Sequence, residues 1–442
     1  MNPFNPERLA ARRRELMERI GEGGVAILVA NSEQTRSHDT DFPYRPSSDI
    51  MYLTGFEEPK SVVVLAPGHE EGEFVMFVRD RDSKKEQWDG RRAGPDGAVA
   101  EYGADAAFCI DEIDEKLPQF LEERERLYYT LGKHRAFDRR LTRWMNDLRH
   151  RRNQPSGAPA ALLDLRDELH EMRLFKDDDE MEAMRRAARV TAEAHIEAMK
   201  RCRPGVHEYE LQAALEAHFR EHGANFPAYS SIVGSGDNAT ILHYIANRDV
   251  IDDGEVVLID AGAELDYYAA DITRSFPASG SFEPAQRDLY EAVLDTQLAV
   301  IDLIEPGLAY GELQKLAARR LTEAMVELDL LSGSIDELVE EEDYKAYYPH
   351  NIGHWLGIDV HDVGSYYDDE GEYRPLEPRM VLTIEPGIYV PADDEEAPEA
   401  LRGVGVRIED DILVTEEGHE NLTSTCPKAI DEIEALVGSE AE

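Results

Sequence analysis

Apolar residues recur along the chain with two periods, which predict alternating helices and buried strands. In the first part, Pro6–Ile20 repeats apolar residues at helical spacing, whereas Gly24–Ala30 and Ser61–Ala66 are short apolar runs typical of strands. In the second part, helical patterns over Asp178–Arg201 and Pro284–Ile304 alternate with further apolar strands. The pattern predicts an α/β (α+β) protein whose helices pack on sheets.

A change of composition near the middle of the chain predicts a domain boundary. The length of 442 residues exceeds the usual size of one hydrophobic core, so two domains are expected. The polar, arginine-rich stretch Arg149–Pro159 separates the two patterned regions. Helical patterning resumes after it, and we place the boundary near residue 174. The predicted domains are therefore residues 1–173 and 174–442.

Two aspartates lie in a predicted β-hairpin. The runs Glu255–Gly262 and Tyr267–Phe276 indicate its two strands. If the hairpin closes at Leu265-Asp266, then Asp260 and Asp271 face each other with Cβ atoms roughly 5 Å apart. One aspartate could instead cap a turn while the other is solvated. Both have apolar strand neighbours, however, and an unpaired buried carboxylate is costly, so the pair favours a cation site.

A cluster of histidines follows at residues 350–362. It contains His350, His354 and His361, with Gly353 and Gly357 between them. Glycine lets a backbone pass close to a metal ion or a ligand. The segment therefore indicates a site, although a single histidine is more often structural.

Two glutamates occupy predicted strands near the C-terminal end. Glu385 ends an apolar strand, and Pro386 and Gly387 predict a bend directly after it. Glu409 is expected inside an alternating strand, where Arg407 shares its face and could orient the carboxylate or contact a substrate. One imidazole and four carboxylates could thus hold a pair of divalent metal ions: Asp260, Asp271, His354, Glu385 and Glu409.

The sequence around these residues resembles a known family. The strings are Asp260-Ala-Gly, Asp271-Ile-Thr-Arg, Gly-His354-Trp-Leu-Gly, Thr-Ile-Glu385-Pro-Gly and Arg407-Ile-Glu409-Asp-Asp. They resemble the creatinase-like, pita-bread metallopeptidases, and within them the Xaa-Pro aminopeptidases. The resemblance spans nearly the whole chain: residues 42–56 are similar to that family's non-catalytic N-terminal domain, and residues 169–176 to the entry into its catalytic domain.

The resemblance implies an enzyme that releases the N-terminal residue from peptides with proline second, by attack of a hydroxide that bridges two metal ions. It implies that Asp271, His354, Glu385 and Glu409 hold one ion. Asp260, Asp271 and Glu409 would hold the other. Two Mn²⁺ ions are expected, because a mostly oxygen ligand set suits Mn²⁺, with Zn²⁺, Co²⁺ or Fe²⁺ as alternatives.

The resemblance also implies roles beyond metal ligation. Glu385 is expected to move a proton from the attacking water to the departing proline nitrogen. The residues expected to contact substrate or stabilise developing charge are His243, His361, His350, Arg407, Tyr229 and Tyr389. The family forms homodimers or homotetramers in which an N-terminal residue reaches a neighbour's active site, and Trp88 matches such a position.

Two other functions remain open from the sequence. Prolidase shares the fold and ligands but cleaves Xaa-Pro dipeptides, so it needs a cation for their free carboxylate, and Arg374 or Arg407 could serve. A relative that binds a partner without catalysis is a second alternative. Such proteins have lost metal ligands, whereas all five are present here.

Composition limits the partners and the compartment. The net charge of −46 and the pI near 4.6 disfavour binding to nucleic acid or anionic membranes. Arginine outnumbers lysine and acidic runs are frequent, which favours adaptation to high salt over an ordinary acidic protein. Three widely spaced cysteines indicate no disulfide framework. Because no apolar signal core or membrane-spanning stretch is visible, we expect a cytoplasmic protein.

Overall fold

The computed structural model describes residues 2–150 and 157–440. The chain folds into two compact units, Asn2–Arg173 and a second unit that begins at Leu174. Part of the arginine-rich stretch used to predict the boundary, residues 151–156, lies outside the described residues. The two units are described separately below.

The first unit is built on a six-stranded mixed sheet. Its helices are α1 (Pro6–Ile20), α2 (Ser48–Thr54), α3 (Ser83–Asp89), α4 (Gly94–Ala100), α5 (Ile113–Leu121), α6 (Arg135–His150) and α7 (Leu165–Leu174). Its strands are β1 (Gly24–Val29), β2 (Thr35–Ser37), β3 (Thr40–Asp41), β4 (Val62–Leu65), β5 (Phe74–Val78), β6 (Ala106–Cys109), β7 (Arg126–Tyr128) and β8 (Ala161–Leu163). The sheet order is β6-β5-β4-β1-β7-β8, and β2 pairs with β3 separately.

Local sequence explains how this unit begins. The Asn5 side chain accepts a hydrogen bond from the backbone N–H of Arg8, and Pro6 supplies a helical φ angle at the first position of α1. The helix has the predicted bounds, and the apolar runs form the central strands β1 and β4. These strands are buried among α5 and α6, so the sheet lies inside the unit's core.

The second unit combines long helices with small antiparallel sheets. Its helices are α8 (Asp178–Arg201), α9 (Glu208–Glu221), α10 (Pro284–Asp302), α11 (Tyr310–Glu327), α12 (Ile335–Glu340) and α13 (Ile430–Leu436). Its strands are β9 (Phe226–Pro227), β10 (Ile232–Ser235), β11 (Val256–Ala261), β12 (Ala263–Leu265), β13 (Tyr268–Ala269), β14 (Ile272–Pro277), β15 (Val381–Ile384), β16 (Gly387–Val390), β17 (Val404–Arg407), β18 (Asp410–Thr415) and β19 (Gly418–Asn421). The mixed helix and strand content confirms the predicted α/β (α+β) class.

Three antiparallel groups of strands surround the candidate ligands, of which Asp260 lies within β11. Their orders are β10-β11-β14, β15-β18-β19 and β16-β17, while β13-β12-β9 extends the hairpin. Helix α8 begins at the predicted residue because Asp177 and Glu180 form a reciprocal capping box. No helix in the described part of the chain is long and apolar enough to span a bilayer.

The predicted register of the hairpin is wrong. Asp260 pairs with Thr273, and Leu265 pairs with Tyr268, so the turn is Asp266-Tyr267 rather than Leu265-Asp266. Both turn residues have positive φ, 50° and 65°, as a two-residue type I′ turn requires. The shift preserves the face of each side chain, because Asp271 lies two residues from Thr273. The aspartates are therefore diagonal rather than directly opposite neighbours.

One further local prediction needs correction. Glu409 does not lie inside a continuous strand: β17 ends at Arg407 and β18 begins at Asp410, with Glu409 bridged to Thr273 between them. Gly353 packs closely on protein, since a Cβ there would lie 1.9 Å from the carbonyl oxygen of Thr383. The bend at Pro386-Gly387 follows the prediction, because Glu385 separates β15 from β16.

Candidate metal centre

A cavity of about 470 Å³ opens among the ends of these strands. All five predicted metal ligands line it, together with Tyr229, Arg407 and three predicted histidines. The lining residues named in the sequence analysis are Tyr229, His243, Asp260, Asp271, His350, Gly353, His354, His361, Glu385, Arg407 and Glu409. Residues spread over the second unit thus converge on one site.

The candidate ligands approach each other closely. Asp271, His354 and Glu409 each offer one ligand atom within 4.8 Å of the others. The Nε2 atom of His354 lies 3.5 Å from Asp271 Oδ2 and 3.7 Å from Glu385 Oε1. Asp260 joins the group because the Tyr229 hydroxyl contacts both its carboxylate and that of Asp271. These distances suit ligand atoms that surround cations.

The electrostatics of the cavity also fit divalent cations. Burial raises the pKa of Asp260 and of Glu409, and the charge of Asp271 raises both further. Burial likewise raises the pKa of Glu385. Buried carboxylates that repel one another are stabilised when cations lie between them. The donor set contains oxygen and one imidazole nitrogen but no thiolate, which is typical of a site for hard or borderline divalent ions.

His354 is oriented as a metal ligand. Its Nδ1 atom lies 3.0 Å from the carbonyl oxygen of Trp355, so Nδ1 donates and Nε2 faces the carboxylates. Burial alone would lower the pKa of His354, but Asp271 and Glu385 raise it to about 9. In the metal-free protein the ring is therefore protonated at neutral pH, and a metal ion must displace that proton.

The protonation of His354 predicts how the stability of the metal-free protein depends on pH. Because folding raises the pKa of His354 from 6.5 to about 9, its contribution to stability is complete below pH 6.5 and is lost as pH rises through about 9. Folding also raises the pKa of buried carboxyl groups, including that of Glu385. Their contribution to stability is likewise lost as pH rises, and the loss begins at a lower pH than for His354. We expect the difference in Tm between Mn²⁺-loaded and chelator-treated protein to be larger at about pH 8.5 than at about pH 6.

Comparing the Mn²⁺-loaded and chelator-treated forms at the same pH cancels the contributions of the rest of the chain to Tm, because only the metal occupancy of the site differs between the two forms. Differential scanning fluorimetry of the two forms provides the measurement. An equal Tm difference at both pH values would contradict the raised pKa of His354.

Arg407 is held by the protein and does not point freely into the cavity. Its guanidinium donates to Asp260 at 2.6 Å, to the Tyr389 hydroxyl at 2.9 Å and to Thr273 Oγ1 at 3.1 Å. Thr273 in turn donates to Glu409 Oε2 at 2.6 Å. Arg407 therefore orients Asp260 directly and Glu409 through Thr273.

Two residues of this network were missed by the sequence analysis. Thr273 shares a strand face with Asp271, so the two-residue period was the available signal. Asp411 accepts a hydrogen bond from the backbone N–H of Asp271 at 3.1 Å and holds that segment in place. Nothing in the local sequence distinguishes Asp411 from the acidic residues around it.

The remaining histidines line different parts of the cavity. His350 is mostly buried, and its Nε2 atom lies 2.8 Å from the Tyr389 hydroxyl. Burial and the positive charge of Arg407 lower the pKa of His350 to about 4, so this ring is neutral. His361 packs edge-on against His354 with ring centres 4.2 Å apart. His243 and His361 are solvent-exposed at the cavity, where a ligand can reach them.

Three predicted substrate-binding residues, Tyr389, Arg374 and Trp88, are not in this cavity lining. Arg374 instead lies 3.5 Å from the Glu377 carboxylate and 5.8 Å from the centre of the Phe175 ring. Trp88 belongs to α3 of the first unit, where its side chain is 88% exposed. Trp88 was proposed from resemblance alone, and Arg374 only for the prolidase alternative.

Fold and site together define a class: a metal-dependent hydrolase whose oxygen-rich centre is assembled from antiparallel strands. The model of Metallopeptidase family M24 matches residues 182–416, and that of the Aminopeptidase P N-terminal domain matches residues 9–128. The chain therefore belongs to metallopeptidase family M24, and its centre is a site for divalent metal ions.

Individual relatives are similar to this chain over nearly its whole length. Xaa-Pro aminopeptidase of Escherichia coli is 43% identical over 438 residues, 99% of each chain. The structure of Pseudomonas aeruginosa aminopeptidase PepP matches with a TM-score of 0.97 and 49% identity, covering 100% of both chains. A zinc-substituted E. coli aminopeptidase P in complex with product matches with a TM-score of 0.93 and 43% identity over 98% of each chain.

Proposed function

We propose that this protein is an Xaa-Pro aminopeptidase, which releases the N-terminal residue from peptides whose second residue is proline. The observation that carries the proposal is the buried ligand set of Asp271, His354 and Glu409 beside Asp260 and Glu385. It lies in a chain that matches Xaa-Pro aminopeptidases along nearly its full length. In this proposal residues 174–442 form the catalytic domain and residues 1–173 a non-catalytic domain.

We propose Mn²⁺ as the native ion at both positions, held as the family resemblance implies. The oxygen-rich donor set supports this choice over a thiolate-preferring ion. When bound, such a pair of ions activates water and polarises the scissile carbonyl near neutral pH. Asp260 would hold only one ion, whereas Asp271 and Glu409 would contact both.

The protein's own residues supply proton transfer and orientation. Glu385, whose pKa burial raises, accepts a proton from the attacking water and gives it to the departing proline nitrogen. This transfer is needed because the proline nitrogen must leave as a neutral amine and not as an amide anion. His243 and His361 are exposed at the cavity and can donate to the oxygen of the scissile carbonyl.

Arg407 and Tyr389 act as positioning residues in this proposal. Arg407 fixes the Asp260 carboxylate, and the Tyr389 hydroxyl links Arg407 to His350. Tyr229 contacts the two aspartates of the hairpin. These contacts set the orientation of the ligands before a substrate binds.

The structure gives less support to the two alternatives. Prolidase needs a cation for the carboxylate of a dipeptide, but Arg407 is the only arginine or lysine among the described residues that line the cavity. That guanidinium is already occupied by Asp260, Tyr389 and Thr273. A non-catalytic binding protein would not need to retain the complete buried ligand set.

Product analysis by mass spectrometry tests the function directly. Metal-stripped protein, reconstituted with Mn²⁺ in high salt, is given a tripeptide with proline second and the matching Xaa-Pro dipeptide. We expect release of the first residue from the tripeptide. Cleavage of the dipeptide alone would assign prolidase, and cleavage of neither would assign a binding protein.

We further propose a homodimer or homotetramer in which Trp88 completes a neighbour's active site. An indole that is 88% exposed in this chain supports the idea, because large exposed aromatic side chains are frequent at interfaces. Trp88→Ala is expected to lower kcat/KM for the tripeptide, whereas Leu131→Ala, another exposed apolar residue of this unit, is expected to leave it unchanged. Unchanged tripeptide cleavage by Trp88→Ala would count against this role.

We also propose that the acidic surface is adapted to a high-salt cytoplasm. The net charge of −46 supports this, since like charges repel across a folded surface. Raising KCl from about 0.1 M to about 1 M shortens the Debye length from about 10 Å to about 3 Å, and Tm is expected to rise. A Tm that is as high at about 0.1 M KCl as at about 1 M KCl would contradict the proposal.

A further inference from the structure

A second group of metal-ligating side chains lies outside the cavity, where helix α9 packs on helix α8. His218 and His222 are one helical turn apart at the end of α9, and Glu193 faces them from α8. Each residue offers one ligand atom within 4.8 Å of the other two. None of the three lines the cavity described above.

The His218 ring has an unsatisfied nitrogen. Its Nε2 atom is buried and has no hydrogen-bond partner among the described residues. The nearest carboxylate oxygen, Oε2 of Glu193, is 3.6 Å away, which is too far for a good hydrogen bond. A buried polar atom without a partner is costly, and a metal ion between this nitrogen and the carboxylate would satisfy both.

The His222 ring is prepared for ligation by its own helix. Its Nδ1 atom lies 2.8 Å from the carbonyl oxygen of His218, so Nδ1 carries the proton and Nε2 keeps its lone pair. Metal-binding histidines in proteins commonly donate their other ring N–H to a backbone carbonyl in this way. The two rings are stacked with centres 4.0 Å apart, and His222 is exposed, so an ion can reach it from solvent.

The ligand types of the group also suit a metal ion. Two imidazoles and one carboxylate differ from the oxygen-rich catalytic set, and they favour a late first-row divalent ion such as Zn²⁺.

We propose that Glu193, His218 and His222 form an accessory site for a late first-row divalent ion, separate from the catalytic pair. The bound ion joins α8 to α9. Beyond α9 the chain leads through β9 to Tyr229, so the ion fixes a helix that precedes the catalytic cavity. The inference does not depend on the proposed peptidase activity.

Metal counting tests the site. Mn²⁺-loaded protein is incubated with a small excess of Zn²⁺ and desalted, and the total divalent metal per chain is measured by mass spectrometry. Exchange of Zn²⁺ for Mn²⁺ at the catalytic centre does not alter the total. We expect three ions per chain for the unmodified protein, and two for His218→Ala and His222→Ala, whose Zn²⁺ affinity should fall at least about 100-fold.

The neighbouring Glu197 provides a matched control. It lies one turn further along α8 and contributes negative charge near His218, but its carboxylate is held by Arg201 at 2.6 Å. Glu197→Gln is expected to keep the third ion, whereas Glu193→Gln loses it. Glu193→His, which supplies a third imidazole, is expected to bind Zn²⁺ more tightly than the unmodified protein.

The variants lie at the surface, and a Zn²⁺-induced rise in Tm gives a second readout that does not depend on activity. A metal content that is the same in the unmodified protein and in both histidine variants would overturn the proposal.

Discussion

Replacing Asp271 by alanine is expected to remove both catalytic metal ions and to lower kcat/KM by at least about 10³-fold, since such ions supply several kcal/mol of transition-state stabilisation. Asp271 is the residue that His354 and the Tyr229 hydroxyl both contact, and it lies within ligand distance of Glu409. In the proposed centre it contacts both ions, so neither position is complete without it. Metal content and tripeptide cleavage provide the two measurements.

Variants of neighbouring residues separate loss of a ligand from loss of the fold. Asp260→Ala is expected to keep one ion, because in the proposed centre Asp260 contacts only one. Asp266→Asn, at the tip of the same hairpin, should keep both ions and full activity, since its carboxylate pairs with Arg186 at the surface. Two retained ions in Asp271→Ala would show that the ligand assignment is wrong.

The hairpin shows how far the sequence predicts this site. Alternation within a strand identifies which side chains share a face, and a shift of register by two residues leaves that face unchanged. The closeness of Asp260 and Asp271 could therefore be predicted although the turn was misplaced. The turn itself depends on positive φ angles at Asp266 and Tyr267, which neither residue type signals strongly.

The residues that orient the ligands could not be predicted in the same way. Thr273 touches Glu409 and Arg407, which are more than a hundred positions away, and Asp411 supports the backbone of Asp271. Such contacts arise only when strands from distant segments come together. The ligand types were predicted from the residues themselves and their roles from the family resemblance, whereas Arg374, proposed as the carboxylate-binding cation of a prolidase, does not line the cavity.

Replacing Arg274 by methionine is expected to destabilise the second unit by about 3–5 kcal/mol, the usual cost of breaking a buried ion pair. Arg274 is 0% exposed and donates to Asp410 at 2.7 Å. Its other donors satisfy four backbone carbonyls, those of Thr273, Glu409, Cys426 and Pro427. Methionine fills a similar volume but leaves every one of these acceptors without the guanidinium.

The partner carboxylate adds to the expected cost. Burial alone would raise the pKa of Asp410, but Arg274 and Lys428 hold it well below its usual value. A depressed pKa means that this carboxylate stabilises the fold above its unfolded pKa of about 4, and that the contribution is lost as pH falls. Without Arg274, Lys428 is the one positively charged partner of this carboxylate among the described residues, so Asp410 becomes a poorly compensated buried charge.

Urea unfolding, followed by a probe in the second unit, measures the effect against a surface control. Arg287→Met removes ion pairs to partly exposed glutamates and is expected to cost at most about 1 kcal/mol. Arg274→Lys should recover only part of the loss, since an ammonium has three donors where this guanidinium uses five. Because Arg274 holds the carbonyls of both Thr273 and Glu409, its loss should also weaken metal binding. An unchanged unfolding free energy in Arg274→Met would mean that this buried network does not stabilise the second unit.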